Sequence, residues 1–280
     1  MDDKNVVFMT GLPRSGSTVL ANILQQHPEI FTTASDPMSE VVLSVMEQRN
    51  NSGWFDHLDP SVADTGLHQF VYKGTMSWLD SLTSKPNIIS CGRNWGLVSH
   101  LYPNTKFIVH VRDLVDVAES HAYNQFNNSI SNDLIYHHPG LGYELPVPFT
   151  SIPSMNIVES IFNQTPYIST ALNIIVPHMI DLSEKDNDRI LFVRYENLLN
   201  NPREVLDGIE RFVGVRTHNY DLENIQQQQM LEHDGCHKGL VSHVTKPVLQ
   251  HVEKPQVLPD YVHKQIRSQY KWFYDMLYPS

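Results

Sequence analysis

The chain has 280 residues, of which 41% are hydrophobic, and a formal net charge of -11 at pH 7. This length and composition suit one large α/β domain with insertions, so we expect a single domain over residues 1–280. The acidic balance argues against nucleic acid and anionic membranes as partners, because both need a basic surface. Cys91 and Cys236 are too few for a disulfide framework.

The start of the chain is a polar tetrapeptide followed directly by an apolar run. It has neither the basic and long apolar segments of a signal peptide nor a transmembrane run. We therefore expect a cytoplasmic enzyme without a membrane partner.

The first predicted elements are a strand, a loop with two glycines and a helix. Residues 6–9 form a continuous apolar run, which is typical of a strand buried on both faces of a parallel sheet. The loop at residues 11–18, with the sequence GLPRSGST, follows at once, and residues 19–24 have apolar side chains at helical spacing. The free N–H groups and the dipole of such a helix start favour a bound phosphate.

The loop has the spacing of the ATP and GTP phosphate loop, but Ser17 replaces the lysine that neutralises a triphosphate. An arginine, Arg14, lies within the loop instead. These two departures predict a different phosphorylated nucleotide. The alternative is a glycine turn without a ligand, although the strand and the helix that the motif requires are both present.

The sequence GLPRSGST, with a helix ending at residues 27–29, resembles the 5′-phosphosulfate loop of sulfotransferases that use 3′-phosphoadenosine 5′-phosphosulfate (PAPS). The loop sequence most resembles that of the family branch that contains the protein-tyrosine sulfotransferases and many bacterial enzymes. The resemblance implies a P-loop nucleotide-kinase-like three-layer α/β fold with a central parallel sheet. It also implies that the loop binds PAPS, and its product 3′-phosphoadenosine 5′-phosphate (PAP), through Arg14, Ser15, Gly16, Ser17 and Thr18.

An acidic residue, Asp36, follows the first helix in the segment Ser-Asp-Pro. Pro37 keeps Asp36 out of helical geometry, in a turn near the end of the first βα unit, and ligands of open α/β sheets gather at the carboxyl ends of strands. The resemblance implies that Asp36 takes the place of the catalytic base. Two alternatives stay open: Asp36 caps a helix starting near Met38, or the base is a neighbour such as Glu40 or His110.

The next stretch of the chain is predicted as helices over residues 39–85, a short strand at 87–91 and a further helix at 92–101. Relatives often have a lysine close to the transferring group at this point. The resemblance implies that Arg93 takes its place as a catalytic residue, with a planar fork instead of a compact ammonium. An ordinary surface charge is the alternative.

The second motif is a buried strand at residues 106–111 that ends in Arg112 and Asp113 and leads into a helix at 114–126. The sequence RDLVDVAES matches the family pattern Arg-Asp-x-x-Asp-Val-Ala-x-Ser. The resemblance implies that Arg112 and Ser120 clamp the 3′-phosphate of the donor, a task for which the arginine fork is suited. A purely structural ion pair of Arg112 with Asp113 is the alternative.

A long irregular stretch follows at residues 127–153, and we interpret it as an insertion that binds the acceptor. It contains the adjacent histidines His137 and His138. Adjacent histidines seldom converge on one ion, so we expect no metal site.

The third motif begins after a helix predicted at residues 156–180. It comprises a strand at 189–196 and a helix at 202–213 that Gly214 ends. The resemblance implies that Tyr195 touches the adenine side of the donor; a packed aromatic side chain is the alternative.

The C-terminal part of the chain is less informative. By resemblance, residues of about 230–256 are expected to cover the nucleotide, and residues 259–277 are predicted to form a closing amphipathic helix.

The leading interpretation is transfer of a sulfuryl group from PAPS to an acceptor hydroxyl, without a metal. The resemblance assigns the base to Asp36, and the positive groups beside the leaving phosphate oxygen to Arg14 and Arg93. The acceptor is expected to be a small molecule, a carbohydrate or a peptide, and the number of subunits is not predicted. The alternatives are a P-loop small-molecule kinase, against which Ser17 and the lack of a convincing magnesium carboxylate count, and a non-catalytic nucleotide-binding module.

Overall fold

The structure, a computed structural model, describes residues 4–130, 157–163, 165–227, 246–250 and 256–279. Most of the two segments predicted to bind the acceptor and to cover the nucleotide, with His137 and His138, lies outside these described residues.

The centre of the fold is a parallel sheet of five strands in the order β2-β3-β1-β4-β5. Each strand is a short run dominated by apolar side chains, which suits strands covered on both faces. The predicted strands at residues 6–9, 87–91 and 106–111 are confirmed, and the last strand is shorter than predicted. The strands are β1 Asn5–Gly11, β2 Ile30–Thr33, β3 Asn87–Cys91, β4 Lys106–Val111 and β5 Ile190–Arg194.

Helices follow the strands along the chain and cover both faces of the sheet. The helices of the described residues are α1 Ser17–Leu24, α2 Met38–Asn51, α3 Pro60–Ser81, α4 Leu114–Ile130, α5 Ile157–Phe162, α6 Pro166–Thr170, α7 Val176–Lys185, α8 Tyr195–Asn200, α9 Pro202–Val213, α10 Asp260–Gln269 and α11 Lys271–Leu277. A π-helical turn, Ala171–Ile175, joins α6 to α7.

Two apolar cores lie on opposite faces of the sheet, because side chains alternate along each strand. Phe8 in β1 faces one core, where its ring stacks on Trp95 with centroids 4.0 Å apart. Its neighbours Val7 and Met9 face the other core. This arrangement confirms the predicted layers of helix, parallel sheet and helix.

The helix predicted at residues 92–101 is wrong. The chain instead forms two short 3₁₀ turns, Arg93–Gly96 and Ser99–Leu101. The reason is the packing of Trp95, which is fully buried and donates from Nε1 to Ser90 Oγ at 3.0 Å. The tertiary packing of this side chain outweighs helix propensity here.

Other helix ends differ from the predictions in smaller ways. α4 runs to Ile130, four residues into the stretch predicted as irregular. The closing helix is divided into α10 and α11 at Tyr270, which is buried and has φ of -106° and ψ of 34°. α9 ends as predicted at Gly214, whose φ of +90° favours glycine.

The order of the strands brings the first two motifs to one edge of the sheet. β1 lies between β3 and β4, so the loop after β1, the turn after β3 and the arginine after β4 leave the sheet side by side. This carboxyl edge is where open α/β sheets bind ligands.

Candidate active site

The loop between β1 and α1 is shaped by unusual backbone angles and by buried hydrogen bonds. Arg14 and Gly16 have φ of +63° and +83°. The hydroxyl of Ser15, which is 3% exposed, donates to the carbonyl oxygen of Leu12 and contacts Nδ1 of His110. Burial lowers the pKa of His110 to about 4, so the imidazole is neutral. No sequence pattern links His110 in β4 to this loop.

The start of α1 is open to an anion. Its N-cap is Gly16, which has no side chain to cap the first N–H groups. Ser17 and Thr18 begin the helix and are partly exposed. The first N–H groups of a helix lack partners within the helix and lie at the positive end of its dipole, so this helix start has the features that a phosphate site requires.

Four predicted donor-binding residues converge at this loop: Arg14 of the loop itself, Arg112 after β4, Ser120 of α4 and Tyr195 of α8. Arg14 donates from Nε to Ser120 Oγ at 3.2 Å. Arg112 donates from Nη1 to the carbonyl oxygen of Arg14 at 3.1 Å, and its Cζ lies 4.7 Å from the ring centroid of Tyr195. Burial lowers the pKa of Arg14, and the charge of Arg112 lowers it further. Two cations held this close favour an anion beside them.

Tyr195 also closes over the glycine of the loop. A Cβ atom on Gly16 would lie 2.4 Å from Cδ2 of Tyr195, so only glycine fits under the ring. Burial raises the pKa of Tyr195, against the opposing effect of Arg112. The ring thus lies between the loop and the Arg112 side chain, which also forms an ion pair of 3.2 Å with Asp116 in α4.

Asp36 lies between β2 and α2, is buried beside the last residue of β3 and has a structural role. It is 3% exposed, and its Oδ1 accepts from the N–H of Met38 at 2.9 Å, so it caps α2. Its Oδ2 accepts from Ser90 Oγ at 2.6 Å, and its own N–H donates to the carbonyl oxygen of Cys91 at 2.7 Å. The two rivals have other partners: Glu40 accepts from Asn94 at 2.6 Å, and His110 faces Ser15.

Arg93 and Asp36 both lie within electrostatic reach of Cys91. The pKa of Cys91 is raised to about 12 by burial, with a smaller rise from Asp36 and opposing effects of Ser17 and Arg93. The thiol therefore stays protonated and is not a nucleophile. Its surroundings show that Ser17, Asp36 and Arg93 converge at the carboxyl end of β3.

Two further polar residues, Tyr167 and His121, belong to the site, and sequence reasoning missed both. The Tyr167 hydroxyl lies 3.1 Å from Nδ1 of His121, and Cζ of Arg93 lies 5.0 Å from the Tyr167 ring centroid. His121 directly follows Ser120, which was a signal for it. Tyr167 comes far along the chain and lies in none of the motifs.

Within the described ranges, no group of three or more His, Cys, Asp or Glu side chains is placed to hold a metal ion. In the same part of the chain no helix is both long and apolar enough to cross a membrane.

Comparison with known families decides the class of the protein. A family model described as the sulfotransferase domain matches residues 4–239. The chain belongs to the sulfotransferase family. The match covers the phosphate loop and every site residue discussed above, and it assigns to this sulfotransferase the transfer of a sulfuryl group.

Solved sulfotransferases share the fold at low sequence identity. The mouse sulfotransferase SULT7A1, solved with PAP, has a TM-score of 0.52 and 15% identity, over 100% of this chain and 86% of that one. The sulfotransferase domain from the curacin biosynthetic pathway has a TM-score of 0.51 and 16% identity, over 96% of this chain and 98% of that one. The sulfotransferase from Alicyclobacillus acidocaldarius has a TM-score of 0.50 and 14% identity, over 98% of this chain and 92% of that one. The predicted fold class is thereby confirmed. A comparison with curated proteins found no match.

Proposed function

We propose that this sulfotransferase moves the sulfuryl group of PAPS to an acceptor hydroxyl, without a metal. One observation carries the proposal: the phosphate loop is in contact with the predicted 3′-phosphate residues Arg112 and Ser120. The contact with Ser120 is the 3.2 Å hydrogen bond from Arg14 Nε to Ser120 Oγ. A nucleotide with a phosphate on each side of its ribose fits such a double site. The mouse relative solved with PAP supports this choice of donor.

The 5′ side of the donor is assigned to the loop. The backbone N–H groups at the start of α1, together with Ser17 and Thr18, are assigned to the bound anion because they form the first turn of this helix. Ser15 shapes the loop from its buried side through Leu12 and His110. Gly16 leaves room for the ring of Tyr195, which is assigned to the adenine side.

The 3′-phosphate is assigned to Arg112 and Ser120. Arg112 is held in place by its bond to the carbonyl oxygen of Arg14 and by the ring of Tyr195. Its present ion pair is with Asp116, whose side chain is 44% exposed. A partly solvated pair of this kind is weak, so a phosphate can take over the arginine fork with stronger, bidentate bonds.

The reaction needs an acceptor oxygen in line with the bond that breaks. The acceptor oxygen forms a bond to sulfur, the bond from sulfur to the 5′-phosphate oxygen breaks, and its electron pair stays on the phosphate. Arg14, the loop N–H groups and Arg93 stabilise the charge that builds up there. Asp36 takes the proton of the acceptor hydroxyl, since a carboxylate that accepts one hydrogen bond on each oxygen still has free lone pairs.

The acceptor is proposed as a small molecule, a carbohydrate or a peptide with a free hydroxyl. The cytoplasmic location, the single domain and the absence of nucleic-acid and membrane partners stay predictions from the sequence.

Thermal unfolding with nucleotides tests the donor assignment. Saturating PAP in the presence of EDTA is expected to raise the melting temperature, because a ligand that binds only the folded state stabilises it. No shift with PAP, together with a shift with magnesium-ATP, would contradict the proposal and favour the kinase. A shift with PAP but no transfer in any assay would favour a module that only binds the nucleotide.

A further inference from the structure

Tyr167 lies within electrostatic reach of both Arg14 and Arg93, although it belongs to no sequence motif. It is the second residue of α6, and the turn before it is well fixed. The carbonyl oxygen of Thr165 accepts from the N–H groups of Ile168 and Ser169 at 3.0 and 2.9 Å. The position of the Tyr167 ring is therefore set by the helix start as well as by its side-chain contacts.

The ring supports a side chain that is otherwise exposed to solvent. Arg93 is exposed, and its Cζ lies 5.0 Å from the Tyr167 ring centroid, within the range of a cation–π contact. The backbone of Arg93 is fixed as well, since its carbonyl oxygen accepts from Thr10 Oγ1 at 3.0 Å. A free arginine side chain samples many rotamers, and contact with a ring face restricts them.

The two elements that carry Arg93 and Tyr167 also pack directly against each other. A Cβ atom on Gly96, in the turn of Arg93, would lie 2.4 Å from Cγ2 of Ile175. Ile175 ends the π-helical turn that continues the helix of Tyr167. π-helical turns are rare and occur frequently at functional sites. The spacing between Arg93 and the ring is thus held by backbone packing too.

The hydroxyl group of Tyr167 is held by a second residue, His121. It lies 3.1 Å from Nδ1 of His121, which is 6% exposed. Burial lowers the pKa of His121 to about 4, with a further lowering by Arg14, and burial raises the pKa of Tyr167. The phenol therefore keeps its proton and shares a hydrogen bond with a neutral imidazole. Because His121 follows Ser120, a continuous set of contacts joins Arg93 to Arg14.

We propose that Tyr167 is a positioning residue for sulfuryl transfer, whose ring holds the Arg93 guanidinium beside the leaving phosphate oxygen and is itself held by His121. The inference rests on the proposed function, in which Arg93 stabilises that oxygen. This role explains how an arginine can act at a position where relatives of this family often have a lysine, because a planar guanidinium stacks on an aromatic ring.

A transfer assay without a specific acceptor tests the role. Enzyme in excess over PAPS with radioactive sulfur is incubated with water as the acceptor, and the release of labelled sulfate is followed in a single turnover. Tyr167→Leu is expected to slow the release by about tenfold or more, because small misplacement of a catalytic group is costly. Its affinity for PAP, measured by calorimetry, should stay close to that of the wild type.

Matched variants separate the ring from the hydroxyl and from the fold. Tyr167→Phe keeps the ring and should release sulfate at a rate closer to the wild type than to Tyr167→Leu. In an Arg93→Ala background, Tyr167→Leu should cause no further loss, because the group that it positions is gone. Arg93→Lys, at an exposed position, keeps the charge and loses the planar fork, and it should also slow the release.

Five results would overturn the inference, and they differ in whether they also contradict the proposed function. If Tyr167→Leu or Arg93→Lys releases sulfate as fast as the wild type, or if the losses from Tyr167→Leu and Arg93→Ala multiply, the positioning role alone is wrong. If Arg93→Ala is as fast as the wild type, the catalytic role of Arg93 is wrong too. If the wild type does not accelerate sulfate release at all, the proposed reaction at this site falls together with the inference.

Discussion

Asp36 combines an observed structural role with the proposed role of catalytic base. Its two oxygens each accept one hydrogen bond, from Met38 and from Ser90, and it is nearly fully buried. These bonds fix its position at the end of β3 beside Cys91 and Arg93. The sequence left the cap and the base open as alternatives, and the structure is compatible with both roles at once.

Asp36→Asn should lower the rate of transfer by about a hundredfold or more, since an amide cannot take the acceptor proton. The amide oxygen still caps α2, so PAP affinity should stay nearly unchanged. Asp59→Asn is the matched control, because Asp59 caps α3 by accepting from Ser61 and Val62 away from the site. Single-turnover transfer and PAP titration decide: a variant that keeps its rate, or mainly loses donor binding, removes Asp36 from the role of base.

Arg112→Ala should weaken PAP binding much more than binding of adenosine 5′-phosphate. The expected difference is about 1.5–3 kcal/mol, the usual contribution of a charge-assisted bond. Arg267→Ala is the matched control, since Arg267 also pairs with a carboxylate, that of Asp113, and lies 5.1 Å from the ring centroid of Tyr274. Equal losses for both ligands, measured by calorimetry, would place Arg112 away from the 3′-phosphate.

At the scale of elements, the strand, loop and helix of residues 5–24 were readable because both neighbours of the loop have a clear pattern. The turn after β3 was not readable, since its shape depends on Trp95, which stacks on Phe8 in the core. Tyr167 could not be found for a similar reason: its partner Arg93 is distant in sequence, and only the folded chain brings the two together. Local patterns encode the elements, and side-chain contacts between distant residues complete the site.

Gly16→Ala should lower the free energy of unfolding by about 1–3 kcal/mol, the range for a strained backbone position. The cause is the φ of +83° together with the clash of the new Cβ with the Tyr195 ring, at 2.4 Å. Gly66→Ala is the control, because nothing lies within 4 Å of a Cβ there and α3 is helical at this position. That control should gain about 0.5–1 kcal/mol. Urea unfolding of both variants measures these changes. Equal changes in the free energy of unfolding would show that Gly16→Ala causes neither backbone strain nor a clash with the Tyr195 ring.

At the scale of the whole molecule, buried neutral histidines make stability depend on pH. An unfolded histidine titrates near pH 6.5, whereas burial lowers the pKa of His110 and His121 to about 4. Between these values the unfolded chain binds protons that the folded chain does not. The free energy of unfolding should therefore fall as the pH falls from about 6.5 to 4, by up to about 1.4 kcal/mol per pH unit for each residue.

His121→Gln tests this linkage. Urea unfolding at several pH values should show a weaker loss of stability at acidic pH in this variant than in the wild type. His57→Gln, at an exposed position, should leave the slope unchanged. The same slope in all three proteins would show that His121 does not carry the effect.

We propose that the whole site acts as one centre for sulfuryl transfer, made of the loop, Arg112 with Ser120, and the residues around Cys91. The most direct test is to incubate the enzyme and EDTA with PAPS that carries radioactive sulfur and with panels of phenols, alcohols, sugars and hydroxyl-containing peptides. We expect label to move to at least one hydroxyl acceptor and PAP to form in equal amount. Label that stays on PAPS in every panel, while magnesium-ATP donates its γ-phosphate to an acceptor, would contradict sulfuryl transfer at this site.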